Sequence, residues 1–119
     1  MNMKSFLLLF GIVTIFVGSA RTQSFQNVDS KKFAELIQSN QGIVLDVRTE
    51  GEYSRGHIEG STLISTSDQK FVQKVSLLQR DKPLYIYCLT GSRSYAVANY
   101  LSQNGYTKIY NLQRGIIEW

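Results

Sequence analysis

Hydrophobic positions along this chain change their period from segment to segment, and each change announces an element. Residues 6–17 form an almost unbroken apolar stretch, with Lys4 before it and Gly18, Ser19 and Ala20 behind it. A positive start, a short apolar run and small residues make a secretory signal peptide, so residues 1–20 are expected to be removed on export. The run falls short of the ~20 residues of a comfortable membrane span, and an uncleaved anchor is the alternative. Beyond the leader, Asp29 can cap a helix whose apolar face is Phe33, Leu36 and Ile37, with Val28 stapled onto Phe33 and Gly42 past its end. Ile43, Val44 and Leu45 are apolar without alternation, as in a parallel strand covered on both faces.

Thr62, Leu63 and Ile64 make a weaker strand, and Phe71, Val75 and Leu78 share one helical face. Leu84, Tyr85, Ile86 and Tyr87 read as a second buried strand. A helix from about Ser94 carries Val97, Tyr100 and Leu101 on one side and stops at Asn104 and Gly105. Lys108, Ile109 and Tyr110 form the last strand, and a final helix begins near Gly115. Strands alternating with helices predict an α/β fold, a small open parallel sheet flanked by helices on both faces. Ligands bind such sheets beyond the carboxyl ends of the strands, where Asp46, Val47, Arg48 and Cys88 all fall.

Composition narrows the function classes. The 119 residues, less the leader, suffice for one small domain spanning residues 21–119. The net charge of +4 includes Lys4, and Arg48, Arg55, Arg93 and Arg114 are scattered rather than clustered, which argues against nucleic-acid binding. No Asn-x-Ser/Thr sequon is present, so bacterial export to the periplasm is preferred over a eukaryotic secretory route. The single cysteine cannot form an internal disulfide, and no cysteine stands at the cleavage site to carry a lipid.

That cysteine, Cys88, stands between a strand and a helix, followed by Leu89, Thr90, Gly91, Ser92 and Arg93. A thiol there faces unpaired backbone N–H groups and the positive end of the helix dipole, which favour the reactive thiolate. Gly91 permits torsions that turn successive N–H groups toward one centre, and Arg93 can hold an anionic substrate or the sulfur anion. The plainer reading of a lone cysteine is a small buried hydrophobe. Strand, Cys, Gly, Arg and helix in that order favour the nucleophile.

Three stretches resemble a known family, the rhodanese-like single-domain sulfurtransferases. Leu45-Asp46-Val47-Arg48, Glu52-Tyr53 and Gly56-His57-Ile58-Glu59-Gly60-Ser61 resemble its first signature. Residues 88–94 resemble its active-site pattern Cys-x-x-Gly-x-Arg-Ser, and Leu112, Gly115 and Trp119 its C-terminal signature. The resemblance implies that Cys88 takes a sulfane sulfur as a persulfide, held by the loop of Leu89, Thr90, Gly91, Ser92 and Arg93, and passes it to a thiol or cyanide. It implies no metal or organic cofactor. Asp46 and Arg48 lie near the site in this family, and a structural role is preferred for them, by pairing with Glu52 or bracing the loop. His57 is expected to hold a turn rather than act as a base, and Glu52 and Tyr53 to start a short helix. Arg114 replaces a glycine common among relatives and either reaches the pocket mouth or is solvated.

The resemblance also orders the alternatives. Relatives that use mercaptopyruvate have an uncharged residue at the position of Arg93, so a small anionic donor, thiosulfate or polysulfide, is expected here. Phosphatases and arsenate reductases of the same fold place five residues between cysteine and arginine. The four here make a ring too tight for a tetrahedral oxyanion. A persulfide carrier with little turnover uses the same loop and stays open. A monomer is expected, without stable membrane association once the leader is gone.

Overall fold

The computed structural model describes residues 24–39 and 41–119, so the expected leader at residues 1–20 lies outside the described residues. In chain order the elements are β1 (Gln26–Val28), α1 (Ser30–Gln38), β2 (Ile43–Asp46), α2 (Glu50–Ser54) and β3 (Thr62–Leu63). There follow α3 (Phe71–Val75), β4 (Leu84–Tyr87), α4 (Ser92–Ser102), β5 (Ile109–Leu112) and a closing 3-10 turn (Ile116–Glu118). The strands form one sheet in the order β1-β5-β4-β2-β3, and every pairing is parallel.

Side-chain alternation along β4 divides the core in two. Leu84 and Ile86 face one side with Leu45, Val97, Ala98, Leu101 and Ile109, beneath α3 and α4. Tyr85 and Tyr87 face the other side with Val44 and Leu112, beneath α1. All four residues of β4 are buried, as a central strand requires. The same period places Cys88, one step past the strand, on the face covered by α4.

Helix α1 starts where Asp29 accepts a hydrogen bond from the Lys32 N–H at 2.9 Å. Val28 and Phe33 join one apolar cluster, and the Phe33 ring meets those of Tyr85, Tyr87 and Trp119 edge to face. On the opposite face, the hydroxyl of buried Tyr106 lies between the carbonyl oxygens of Val75 and Leu78, at 2.9 and 2.7 Å. That contact ties the end of α3 to the turn after α4.

Several boundaries differ from expectation. β1 is short, polar at Gln26 and Asn27, and exposed except at Val28, so no apolar run announces it; its backbone pairing with β5 alone makes it a strand. α3 ends at Val75, leaving Leu78 in the turn that follows. α4 begins at Ser92, so Arg93 and Ser94 lie within its first turn. The final helix is a single 3-10 turn.

Candidate active site

Asp46 and Arg48 form the frame beside the site. Asp46 is fully buried and Arg48 is 5% exposed. Asp46 Oδ1 accepts from the Arg48 backbone N–H at 2.9 Å and from Nε at 3.0 Å, while Oδ2 accepts from the far guanidinium nitrogen at 2.8 Å. That nitrogen also donates to the Gly56 carbonyl at 2.7 Å. Arg48 thus pairs with Asp46 and not with Glu52, and ties the end of β2 to the turn after α2. His57 closes the same turn: its ring stacks on Tyr53 and its Nδ1 lies 2.9 Å from the Tyr53 carbonyl.

The loop after β4 is closed by two glycines from distant parts of the chain. Gly91 caps α4 with φ +103°, and a Cβ there would sit 1.9 Å from the Gln113 carbonyl oxygen. Gly115 has φ +76°, and a side chain at that position would bring its Cβ within 2.0 Å of the Leu89 carbonyl oxygen. Both positions therefore demand glycine twice over, for torsion and for space. The close approach lets the Ile116 N–H donate to the Cys88 carbonyl at 2.9 Å and the Ile117 N–H to that of Leu89 at 3.1 Å. The C-terminal segment holds the loop by its main chain.

Within this frame several donors converge on the Cys88 sulfur, three of them within 3.3 Å. The Gly91 N–H lies 3.2 Å from Sγ, and the Ser94 N–H and Ser94 hydroxyl each lie 3.3 Å away. Ser94 occupies the third position of α4, where a backbone N–H has no partner within the helix. Burial pushes the Cys88 thiol up, but hydrogen bonds from the Ser94 hydroxyl and from the N–H groups of Ser94, Gly91 and Thr90 outweigh it. The net pKa lies below the ordinary thiol value. Cys88 is 0% exposed, so the sulfur forms the floor of the loop while Leu89, Thr90 and Ser92 make its exposed rim.

Arg93 is placed differently from expectation. Its two terminal guanidinium nitrogens donate to the two Glu52 carboxylate oxygens at 2.8 and 3.0 Å. The Glu52 carboxyl is pushed down to about 2, first by the bond from Arg93 and then by the Thr49 N–H. Cys88 also favours the charged form of Arg93, less than Glu52 does. The anion on sulfur is therefore met chiefly by Ser94 and backbone N–H groups, with the arginine in a lesser part. Arg114 pairs with Glu118 at 3.1 Å and is largely solvated.

Sequence reasoning passed over Ser94 and the Glu52–Arg93 pair. Ser94 had a readable signal, as the residue after Arg93 in the helix's first turn. Its hydroxyl also lies 3.2 Å from the Gly91 carbonyl, so one proton serves two acceptors. Ser94→Ala is expected to raise the Cys88 pKa, through the loss of one charge-assisted hydrogen bond to the thiolate. Titration of the thiolate's ultraviolet absorbance checks this; an unmoved inflection would assign the hydroxyl to Gly91 alone. Among the described residues, no group of three or more His, Cys, Asp or Glu side chains could hold a metal ion.

With this geometry in view, comparison with known proteins defines the class. The profile of the rhodanese-like domain matches residues 29–119, and the chain belongs to that family. A thiosulfate sulfurtransferase, GlpE, of Ectopseudomonas mendocina is 33% identical over 76% of this chain and 81% of its own length. An uncharacterized Bacillus subtilis protein, YqhL, is 41% identical over 64% of this chain, an alignment spanning only 59% of that relative. The crystal structure of a rhodanese-related protein from Thermoplasma volcanium superposes with a TM-score of 0.69 at 32% identity, covering 79% of this chain and 89% of that one.

Proposed function

We propose that this protein is an exported sulfurtransferase that carries a sulfane sulfur on Cys88. The observation supporting this most directly is the set of three donors at 3.2–3.3 Å from a buried, lowered-pKa cysteine sulfur. The Cys88 thiolate attacks the outer sulfur of thiosulfate, the S–S bond of the donor breaks, and sulfite leaves with its electron pair. Cys88 then holds Cys–S–S⁻, and an acceptor nucleophile takes the outer sulfur and returns the thiolate. Cyanide becomes thiocyanate in this step, and a thiol becomes a hydropersulfide. Loop N–H groups that stabilise the thiolate would also stabilise the persulfide anion, one bond further out. The name of the Ectopseudomonas relative supports a thiosulfate-class donor, and the apolar stretch at residues 6–17 supports export. Among the described residues no helix is long and apolar enough to cross a membrane.

Steady-state thiocyanate formation from thiosulfate and cyanide tests this reading, and many turnovers per protein distinguish an enzyme from a carrier that stops after one. Arg93→Ala should lower kcat/KM for thiosulfate by roughly tenfold to a hundredfold, because it removes the loop cation and leaves the Glu52 carboxylate unpaired beside the site. Unchanged kinetics would give Arg93 a purely structural part.

A further inference from the structure

Arg93 is the loop's only cationic side chain, yet its two terminal guanidinium nitrogens are already bound to a carboxylate. That carboxylate is not a mobile surface group. Glu52 Oε1 also accepts from the Thr49 N–H at 3.0 Å and the Thr49 hydroxyl at 3.1 Å, while the Glu52 N–H donates back to Thr49 Oγ1. This reciprocal capping box anchors the acid at the start of α2, 41 residues before its partner. The Glu52 side chain is 18% exposed and that of Arg93 35%, so the pair sits at the lip of the site rather than in bulk solvent. A fork-to-fork pair of this kind cancels most of the field that a free guanidinium would project toward an arriving anion.

We propose that Glu52 is a specificity-determining residue. By holding Arg93 in a two-pronged pair, it keeps the entrance near neutral and favours sulfane donors of low charge over the thiosulfate dianion. This inference rests on the sulfurtransferase reading above. A donor with one negative charge, such as a thiosulfonate R–SO₂–S⁻, offers the same outer sulfur and leaves as a sulfinate. Thiosulfate offers that sulfur with a second charge, which a neutral lip does not reward. Carboxylate and guanidinium thus set the charge preference, while the donors around Cys88 perform the chemistry.

The test uses Glu52→Gln in the full-length protein, with thiosulfate and a thiosulfonate as paired donors. Glutamine keeps an acceptor for Thr49 and serves capping boxes, so α2 retains its start. Its amide lacks the charge, and of the two bonds from Arg93 only the one to the oxygen shared with Thr49 can remain, so the guanidinium charge is no longer cancelled. The ratio of kcat/KM for thiosulfate over thiosulfonate should rise by roughly 5- to 20-fold, mainly through KM, and the gain should shrink with added salt. The Cys88 titration should also move further down, since the freed cation neighbours the sulfur. Glu52→Asp keeps the charge and should stay near the wild-type ratio. An equal fall for both donors in Glu52→Gln, with the ratio unchanged, would make Glu52 a structural brace and overturn the proposal. Wild-type protein that takes sulfur from neither donor would overturn the sulfurtransferase reading itself, and this inference with it.

Discussion

Incubation with thiosulfate should add the mass of one sulfur atom to the protein, cyanide should remove it, and Cys88→Ser should never acquire it. The serine oxygen is too basic to be ionised near neutral pH, and it cannot form the S–S bond that stores the sulfur. The substitution is small, and Ser94 and the Gly91 N–H can hydrogen-bond a hydroxyl, so the fold should survive. Intact mass spectrometry reads the adduct directly and does not depend on the acceptor. The rate of uptake should also follow the thiolate. Because the Cys88 pKa lies below the ordinary thiol value, its thiolate fraction should exceed that of a free thiol at any pH below that value, and uptake should follow it. As pH falls through the lowered pKa, the thiolate and the rate should decline together. A sulfur adduct on Cys88→Ser would place the transfer elsewhere. An aryl phosphate hydrolysed without any adduct would point to the phosphatase alternative.

Asp46→Asn should destabilise the protein by about 3–5 kcal/mol, the cost of leaving a buried charge without its partner. Arg48 is almost fully buried, and Asp46 supplies both its counter-charge and most of its hydrogen bonds. Asparagine keeps the shape but turns a donor toward the guanidinium. Against a typical total stability of about 5–15 kcal/mol, such a loss is severe. Urea unfolding should show a lower midpoint with little change in slope. Replacing both partners together, Asp46→Leu with Arg48→Met, removes the charge that would be stranded and should cost far less. A single variant as stable as the wild type would mean that Arg48 finds water when its partner is lost.

Both expected results depend on features of unequal visibility in the chain. The α/β class was legible because Ile43, Val44 and Leu45, and then the run at residues 84–87, are apolar in the way of strands covered on both faces, with helical periods between them. Asp29 as a cap and Cys88 at a strand end were legible for the same reason: local pattern and local backbone chemistry decide them. Even the face on which Cys88 lies follows from the period of two in β4. β1 was not legible, since Gln26 and Asn27 carry no apolar signal and the strand exists through its ladder to β5.

The partner of Glu52 belongs wholly to tertiary structure. Sequence alone cannot say whether Glu52 meets Arg48 or Arg93, because every such pair is possible until the sheet order brings ends of β2 and β4 side by side. Folding set Asp46 against Arg48 in the interior and left Glu52 to meet Arg93 at the lip. It likewise pressed Gly115 onto the Leu89 carbonyl, so that backbone from the C-terminal segment holds the loop after Cys88. The sequence by itself determined what strand and helix would flank the candidate nucleophile, since those follow from neighbours along the chain. Whether the arginine near the sulfur is free or paired depends on a contact between segments 41 residues apart, and only the fold decides that.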